Sequence, residues 1–280
     1  MGTSTYKIGV IGTGKMGGTI VKAIMDKRLI PSENLFIYDK KEEKLYPFIQ
    51  RGARSSSIDQ MSKKVDVLII AVKPYDIKAV LKLLKGKLNS SQMIVSIAAG
   101  VSISFISRIL GDSTPIVRVI PNTAISVGEG ICALSTGSTI DARKIEFIHR
   151  IFQAVGYVVE LPEDKLDAVT GLSGSGPAYV YTVIEGLIQG GEKAGLSREI
   201  SEKLAIQTVL GAAKLARESA KNLRELISSV ATPGGTTVRG LQVLEEGNIK
   251  DLLSRAVVEA VKRARQISRE IESKYGNKYI

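Results

Sequence analysis

A glycine-rich turn near the N-terminus constrains the fold more than any other feature of this sequence. An apolar run predicts a strand over Tyr6 to Ile11, the turn Gly12-Thr13-Gly14-Lys15-Met16-Gly17 follows, and a helical pattern comes next. A G-x-G-x-x-G turn between a strand and a helix is typical of dinucleotide-binding domains. Its three glycines allow the tight turn, the approach of a pyrophosphate and close packing of helix on strand. We therefore expect these six residues to bind a dinucleotide; a purely structural glycine turn is the alternative.

The first part of the chain alternates short apolar runs with amphipathic stretches. The run Val65 to Val72 is almost continuous in Val, Ile and Leu, as in strands that are covered on both faces. This rhythm predicts a Rossmann-type domain over residues 1–162, with a doubly wound, mainly parallel sheet and helices such as Lys41 to Arg51 and Asp76 to Leu84 between its strands. The predicted strands are Tyr6 to Ile11, Asn34 to Tyr38, Asp66 to Val72, Gln92 to Ala98, Pro115 to Ile120, Gly130 to Ser135 and Gly156 to Leu161.

After about Pro162 the pattern becomes purely helical, which predicts an all-α domain over residues 163–280. Within it, Pro177 to Ile188 is apolar almost all round, with Glu185 as its only charge. A helix of this kind must be buried on every face. A partner subunit could provide the missing cover, so we expect a dimer or a higher oligomer. The predicted helices are Asp164 to Ala194, Arg198 to Ala220, Leu223 to Val230 and Ile249 to Lys274.

Composition excludes several other classes of protein. The net charge of +11 could indicate nucleic-acid binding, but the basic residues are scattered and aromatic residues make up only 5%. The charge is better explained by attraction of anionic cofactors and substrates. No apolar run reaches the roughly 18 residues of a membrane span, and the single cysteine, Cys132, fits a reducing compartment. We expect a cytoplasmic protein that binds neither nucleic acid nor membrane. No Cys/His cluster indicates a metal site, and His149 is expected to be a surface or helix-packing residue.

The end of the second strand bears on the choice of cofactor. Asp39 lies 22 residues after Gly17, where an acid usually accepts hydrogen bonds from the adenosine ribose and favours NADH. Lys40 and Lys41 follow at once, and Arg54 comes one short helix later, where the 2′-phosphate of NADPH could be met. We therefore expect that either NADPH or NADH can serve. The alternative is that Asp39 is only a turn residue and that the lysines begin a solvated helix.

Other strand ends supply further candidates for the cofactor site, because ligands of open α/β sheets bind beyond the carboxyl ends of the strands. Ala71-Val72-Lys73-Pro74 ends one buried strand, with Lys73 either near the cofactor or at an exposed helix start. Ala98-Ala99-Gly100 ends the next strand and would give a small-residue surface for the nicotinamide-side ribose. Asn122 follows another strand end and could either bond to the cofactor or fix a loop.

Two glycine-rich segments of the helical part are candidates for the substrate site. Ser173-Gly174-Ser175-Gly176-Pro177 interrupts a helical pattern and frees backbone groups, which could line a ligand site or serve only as a packing kink. Thr232-Pro233-Gly234-Gly235-Thr236-Thr237 precedes the helical pattern Val238 to Glu245. Successive N–H groups at such a turn can form an anion-binding nest. An ordinary capped loop is the alternative.

Four segments, in their order and spacing, resemble those of pyrroline-5-carboxylate reductases along the whole chain. They are Ala71 to Pro74, Arg118 to Thr123 with Val127 to Gly130 close behind, Asp167 to Tyr179, and Thr232 to Thr237. The resemblance implies a Rossmann domain followed by a helical dimerisation domain. It also implies reduction of the cyclic imine 1-pyrroline-5-carboxylate to L-proline by NAD(P)H, the final step of proline biosynthesis.

The resemblance also implies roles for individual residues. It places the substrate carboxylate on the loop of Gly234, Gly235 and Thr236, and Thr237 beside the imine nitrogen as the catalytic residue. It favours a substrate-pocket role for Ser173, Ser175 and Gly176. The chain departs from the family pattern at Ala124, where Pro is usual, and at Thr232, where Ser is frequent.

Two other functions remain as alternatives. β-Hydroxyacid dehydrogenases share the layout of a Rossmann domain followed by helices, but they use a lysine on the long helix after the sheet. No Lys or Arg occurs from Leu166 to Glu192 here, which argues against that class. The second alternative is a dinucleotide-sensing regulator, which would bind the cofactor without consuming it.

Overall fold

An eight-stranded sheet forms the centre of the N-terminal part of the chain. The computed structural model describes residues 5–137 and 140–276. The strand order is β3-β2-β1-β4-β5-β6-β7-β8, and every neighbouring pair is parallel except β6 and β7. The strands are β1 (Ile8–Ile11), β2 (Leu35–Tyr38), β3 (Arg54–Ser55), β4 (Val67–Ile70), β5 (Met93–Ser96), β6 (Ile116–Pro121), β7 (Gly130–Thr136) and β8 (Gly156–Glu160).

Helices cover both faces of this sheet, which confirms the doubly wound, mainly parallel arrangement. Along β4 the side chains of Val67 and Ile69 belong to one apolar core, and those of Leu68 and Ile70 belong to the other. The helices are α1 (Lys15–Asp26), α2 (Tyr46–Ile49), α3 (Ile58–Lys64), α4 (Ile77–Leu84), α5 (Ile103–Leu110) and α6 (Ala142–Gln153). The first core includes residues of α1 and α6, and the second includes residues of α3, α4 and α5.

The antiparallel pair follows from a short connection. Only a 3₁₀ turn, Thr123–Val127, separates the end of β6 from the start of β7. A parallel neighbour would need a crossover of a dozen or more residues. The chain therefore reverses direction here, and β8 then resumes the parallel pairing with β7.

Several predicted elements differ in extent from the observed ones. Most of the strands are shorter by one to three residues, and the predicted helix Lys41 to Arg51 is instead a 3₁₀ turn, Glu42–Lys44, followed by the short α2. A proline near the start of α2 explains this split, since its ring is tolerated only in the first turn of a helix. The two-residue strand β3 was not predicted, because two residues carry no periodicity.

The remainder of the chain is helical, as predicted. A 3₁₀ turn at Glu163–Lys165 and the short α7 (Leu166–Val169) lead into a π-helical turn, Thr170–Gly174. The predicted interruption of the helical pattern at Ser173 to Pro177 is therefore present, with the wide turn ending where the next helix begins. The further helices are α8 (Gly176–Lys193), α9 (Arg198–Glu218), α10 (Leu223–Val230), α11 (Thr236–Glu246) and α12 (Ile249–Gly276).

Contacts divide the chain into two compact units. Of the described residues, one unit contains 5–137, 140–174 and 259–276, and the other contains 175–258. This division differs from the sequence-based segments 1–162 and 163–280 in two places. Residues 163–174 and the second half of α12 join the sheet-containing unit, and Ile271 of α12 lies in one of its cores. The boundary after residue 162, between a dinucleotide-binding part and a helical dimerisation and substrate part, thus remains a prediction. The chain-terminal residues 1–4 and 277–280, included in those predicted segments, lie outside the described residues.

The helical unit exposes a large apolar surface. In α8, which was predicted to be buried on every face, only Ile188 is buried within the chain. Val180, Tyr181 and Leu187 of the same helix are exposed. The connection after α8 and the helices α9, α10 and α11 show the same property, with exposed side chains at Leu196, Ile200, Leu204, Leu210, Leu223, Ile227 and Val243.

Candidate active site

The glycine loop has a geometry that only glycine permits at two of its positions. Gly12 follows β1 with φ of +98°, and a Cβ there would lie 2.7 Å from the carbonyl oxygen of Ala71. A Cβ on Gly17 would lie 2.0 Å from the carbonyl oxygen of Gly12. At Gly14, by contrast, a Cβ would meet nothing within 4 Å. The loop is therefore tight against the sheet at its two ends and open in its middle.

This open position lies at the start of α1. Gly14 is the N-cap residue and has no side chain of its own to cap the helix, and the first turn contains no acidic residue. The N-terminus of such a helix carries unpaired N–H groups and the positive end of the helix dipole. The exposed Lys15 adds a positive charge in the first turn. The residues present thus fit a dinucleotide pyrophosphate, which would cap this helix.

The sheet register gathers the other predicted cofactor residues at the same edge. Ile11 pairs with both Tyr38 and Ile70, and Ile70 pairs with Ser96. The next residues along these parallel strands therefore form a row at the carboxyl edge. The row brings together Gly12, Asp39 and Ala71, with Ala98 close by on the neighbouring strand.

Asp39 is bound to the glycine loop. Its Oδ2 accepts a hydrogen bond from the backbone N–H of Thr13 at 2.8 Å, and the Thr13 hydroxyl lies 3.4 Å from the same oxygen. Its Oδ1 accepts from the backbone N–H of Lys41 at 3.0 Å. The carboxylate thus fixes the turn and retains lone pairs that could accept hydrogen bonds from a ribose.

The basic residues predicted for a 2′-phosphate have contacts of their own. The ammonium group of Lys40 lies 2.9 Å from Oδ1 of Asp76, and this hydrogen bond raises the pKa of Lys40. The guanidinium carbon of Arg54 lies 6.0 Å from the ring centre of Phe36. Lys44, which was not predicted, places its ammonium nitrogen 3.9 Å from the Asp39 carboxylate. Lys44 is the last residue of the 3₁₀ turn Glu42–Lys44, and a lysine beside two glutamates carries no sequence signal that sets it apart.

The ends of β4 and β5 differ in their exposure. After β4, Lys73 is exposed and caps a 3₁₀ turn that begins at Pro74, while Ala71 and Val72 are half-buried. After β5, Ala98 is buried, Ala99 is exposed, and Gly100 has a φ of +72°. A Cβ on Gly100 would lie 3.1 Å from Cγ2 of Ile267 in α12. Gly100 thus faces the last helix in this structure.

Asn122 makes hydrogen bonds that fix a loop, which was one of the two roles predicted for it. Its Oδ1 accepts from the backbone N–H groups of Ala124 at 3.2 Å and Ile131 at 3.3 Å. Its Nδ2 donates to the carbonyl oxygen of Ser173 at 3.2 Å. Asn122 therefore connects the end of β6 to the π-helical turn that precedes α8.

The first predicted substrate segment spans the end of that turn and the start of α8. The hydroxyl of Ser173 donates to the carbonyl oxygen of Val169 at 3.0 Å. Ser175 is the N-cap residue of α8, its side chain makes no capping hydrogen bond, and Pro177 lies in the first turn. Ser173 belongs to the sheet-containing unit, whereas Ser175 and Gly176 belong to the helical unit.

The second predicted substrate segment forms a glycine turn at the start of α11. Gly234 has a φ of +75°, and a Cβ on Gly235 would lie 2.6 Å from the Thr232 hydroxyl oxygen. Gly235, the N-cap residue of α11, again has no side chain to cap the helix, and the first turn contains no acid. Thr236 is exposed and Thr237 is half-buried as the first two helical residues. The segment thus presents an uncapped helix N-terminus, the geometry expected for a carboxylate site.

Comparison with known proteins decides the family. A family model described as pyrroline-5-carboxylate reductase dimerisation matches residues 163–267, and one described as NADP oxidoreductase, coenzyme F420-dependent, matches residues 7–100. A pyrroline-5-carboxylate reductase from Methanosarcina acetivorans is 38% identical over 94% of this chain and 98% of its own length. The chain belongs to the pyrroline-5-carboxylate reductase family. The resemblance found in the sequence is thereby confirmed.

Further members of the pyrroline-5-carboxylate reductase family are also similar to this chain over nearly its whole length. The protein from Arabidopsis thaliana is 37% identical over 94% of this chain and 96% of its own length. The crystal structure of the Plasmodium falciparum enzyme, which has NADP bound, matches with a TM-score of 0.84 at 33% identity. It covers 95% of this chain and 100% of that one. The structure from Coxiella burnetii matches with a TM-score of 0.89 at 35% identity, over 94% and 99%.

Arg118 of this pyrroline-5-carboxylate reductase family member is a buried charged residue to which the sequence assigned no role of its own. Arg118 lies in the middle of β6 and is only 4% exposed. Its Nη1 lies 3.1 Å from the Glu163 carboxylate, and its Nη2 lies 3.8 Å from that of Asp167. A charge within the apolar run Ile116 to Ile120 was the signal in the sequence that could have marked it.

The single cysteine and the single histidine both have contacts of a structural kind. Cys132 is buried in β7, and burial raises the pKa of its thiol to about 12. His149 in α6 contacts Glu160 of β8.

Within residues 5–137 and 140–276, no group of three or more His, Cys, Asp or Glu side chains could hold a metal ion. None of the described helices has both the length and the apolar character needed to cross a bilayer.

A cavity of about 720 Å³ lies away from the glycine loop. It is lined by residues of α5 and of the last two strands, including Ser107, Leu134 and Glu160. None of the residues predicted for the cofactor or the substrate lines it, so it plays no part in the proposed chemistry.

Proposed function

We propose that this chain reduces 1-pyrroline-5-carboxylate to L-proline with hydride from NADPH or NADH, the last step of proline biosynthesis. The observation that carries the proposal is the similarity to pyrroline-5-carboxylate reductases over 94% of the chain. The open, uncapped glycine loop at the carboxyl edge of the sheet supplies the structural support, because it has the shape and polarity that a dinucleotide needs.

The cofactor site consists of the carboxyl edge of the sheet. The pyrophosphate would lie against Gly14 and the N–H groups that begin α1. Asp39 would accept hydrogen bonds from the adenosine ribose. Lys40 and Arg54 would attract a 2′-phosphate. The remaining proposed contacts are Gly12, Thr13, Lys15, Met16, Gly17, Ala71, Val72, Lys73, Pro74, Ala98, Ala99, Gly100 and Asn122.

The proposed substrate contacts come from the two glycine-rich segments, each described within its own unit. The carboxylate of the imine would bind the N–H groups at the start of α11, contributed by Gly234, Gly235 and Thr236. Ser173, Ser175 and Gly176 would line the pocket for the ring. The N-terminus of α11 supports this assignment, since its N-cap residue Gly235 leaves backbone N–H donors without a capping side chain.

The reaction requires a hydride at the imine carbon and a proton at the nitrogen. When bound, the reduced nicotinamide supplies the hydride from its C4 position. Holding the two rings in contact is the larger contribution of the protein, on the order of 7–11 kcal/mol of the barrier. The Thr237 hydroxyl would orient the nitrogen, and a water molecule would supply the proton, because a threonine hydroxyl is a very weak acid. Orientation and proton delivery add a factor of about 10²–10⁴.

The chain self-associates through its dimerisation region, and we propose that the dimer is obligate and capable of assembling further. The exposed apolar side chains of α8, α9, α10 and α11 support this proposal, because a water-exposed apolar surface of this extent marks an interface. We also propose a cytoplasmic location, for which the single buried cysteine is the support. The proposed partners are the imine substrate and a second copy of the chain, without nucleic acid or membrane.

Turnover distinguishes this function from a regulator that only senses the cofactor. The purified protein is incubated with 1-pyrroline-5-carboxylate and either NADPH or NADH, and the absorbance of the reduced nicotinamide is followed. Oxidation that depends on the imine is expected, with proline accumulating in equal amount. Cofactor binding without any proline would exclude the reductase and favour the sensing role.

A further inference from the structure

Arg118 lies where a charge is costly. Ile116 and Ile120 share its face of β6, and each belongs to an apolar core. The Arg118 side chain is 5% exposed, and within the described chain its Nε and Nη2 make no hydrogen bond. Burial of a guanidinium among aliphatic side chains is tolerated only when opposite charges compensate it. The compensating groups, Glu163 and Asp167, both lie in the segment that leads from β8 to the π-helical turn.

The two carboxylates connect Arg118 to further elements. Oε1 of Glu163, the atom that lies 3.1 Å from the guanidinium, also accepts from the backbone N–H of Ile103 at 2.7 Å, at the start of α5. Oδ1 of Asp167 also accepts from the hydroxyl of Ser268 in α12 at 3.3 Å. The guanidinium thus lies at the centre of a cluster that joins β6, α5 and α12 to the segment Glu163–Gly174.

This segment is held against β6 at three successive points. Arg118 contacts Asp167 near its start, Ile120 shares an apolar cluster with Leu166, and Asn122 donates to the carbonyl of Ser173 at its end. Along an extended strand, Arg118 and Asn122 are about 13 Å apart, so they hold the segment at two separate places, at Asp167 in α7 before the turn and at Ser173 within the turn. The π-helical turn Thr170–Gly174 follows Asp167 in the chain and carries Ser173, and π-helical turns occur frequently at functional sites.

We propose that Arg118 is a positioning residue that fixes the turn Thr170–Gly174, and through it Ser173, for the imine substrate. This proposal rests on the reductase function proposed above. Arg118 does not touch the reacting atoms. It acts because its buried charge can be satisfied only when Glu163 and Asp167 lie beside it, so the segment has one favourable placement on β6.

Steady-state kinetics of Arg118→Met test the consequence for catalysis. Methionine retains the aliphatic volume and removes the charge. We expect kcat/KM for the imine to fall about 10- to 100-fold, mainly through KM, as misplacement by roughly 1 Å would cause. The dissociation constant for NADPH should stay within about twofold of the parent, since the glycine loop is untouched. Arg118→Lys should recover part of the loss because it restores one charge contact.

A matched control and a double-mutant cycle separate positioning from a general loss of stability. Arg143→Met removes an arginine whose side chain is 86% exposed, and it should leave the kinetic constants unchanged. Asp167→Asn should impair the enzyme in the same manner as Arg118→Met. The double variant should be no worse than Arg118→Met alone, because the pair acts as a unit. Multiplicative losses, or a kcat/KM within twofold of the parent in Arg118→Met, would overturn the proposal.

Amide hydrogen exchange tests whether Arg118 fixes the turn and does not depend on turnover. It therefore separates a failure of this proposal from a failure of the proposed reductase function. In Arg118→Met, or in Asp167→Asn should the first variant not fold, exchange should accelerate in residues 166–174 and stay unchanged in α6. Equal exchange in the parent and the variant over residues 166–174 would show that Arg118 does not fix the turn.

Discussion

The carboxylate of Asp39 accepts a hydrogen bond from the backbone N–H of Thr13, with 2.8 Å between Oδ2 and the nitrogen. This contact joins the end of β2 to the glycine loop after β1. Asp39 therefore fixes the turn, and the ribose contact that we propose for it would be made by the same carboxylate. A substitution of Asp39 is then expected to affect both the choice between NADH and NADPH and the shape of the proposed phosphate site.

Substitutions of Asp39 separate these roles. Asp39→Asn keeps an oxygen for the Thr13 N–H and removes the negative charge that would repel a 2′-phosphate. We expect the ratio of kcat/KM for NADPH over NADH to rise about tenfold, which corresponds to roughly 1.4 kcal/mol. Asp39→Ser should raise the same ratio and should also weaken both cofactors, because the loop loses its acceptor. An unchanged ratio in both variants would leave Asp39 as a turn residue only.

Gly14→Ala tests whether the glycine loop admits a pyrophosphate. A Cβ at this position meets nothing within 4 Å, and its φ of −66° is available to alanine. The variant should therefore fold with an unchanged melting temperature. Its dissociation constants for NADPH and NADH, measured by fluorescence titration, should both rise at least about tenfold, because the methyl group occupies the place of a phosphate. Unaltered binding of both cofactors would place the pyrophosphate elsewhere.

Thr237→Ala tests the proposed contact with the imine nitrogen. Loss of a hydrogen bond in a buried site costs about 1–3 kcal/mol, so kcat/KM for the imine should fall roughly 5- to 150-fold. The dissociation constant for the cofactor should not change. Thr237→Ser, which keeps the hydroxyl, serves as the matched control and should retain most of the activity. Activity of Thr237→Ala within twofold of the parent would exclude a direct role.

The apolar surface of the helical unit predicts an obligate dimer. Leu187 of α8 and Leu83 of α4 are similarly exposed, at 48% and 51%, but only Leu187 lies in the helical unit. Leu187→Lys should shift the protein toward the monomer in sedimentation velocity experiments over a range of concentrations, with loss of activity. Leu83→Lys should change neither property. A fully active parent protein that sediments at the 30.1 kDa of one chain would contradict the dimer.

The elements that could be predicted are those that depend on local sequence. The glycine loop, the buried strands and the change to helices after Pro162 all have residue patterns that act over a few positions, and the structure contains each of them. The contact of Arg118 with Asp167 joins residues far apart in the chain, and no local pattern specifies it. The turn-fixing contacts of Asn122 and the packing of Gly100 on Ile267 likewise depend on tertiary structure.

Isotope transfer tests the central claim most directly. The protein is supplied with NADPH, and in parallel with NADH, that carries deuterium at the transferred C4 position, together with 1-pyrroline-5-carboxylate. Mass spectrometry and NMR of the product should show one deuterium in L-proline, on the ring carbon that formed the C=N bond, for each cofactor oxidised. Proline without deuterium, or no proline with either cofactor in the presence of folded dimer, would contradict the assignment of this chain as an imine reductase.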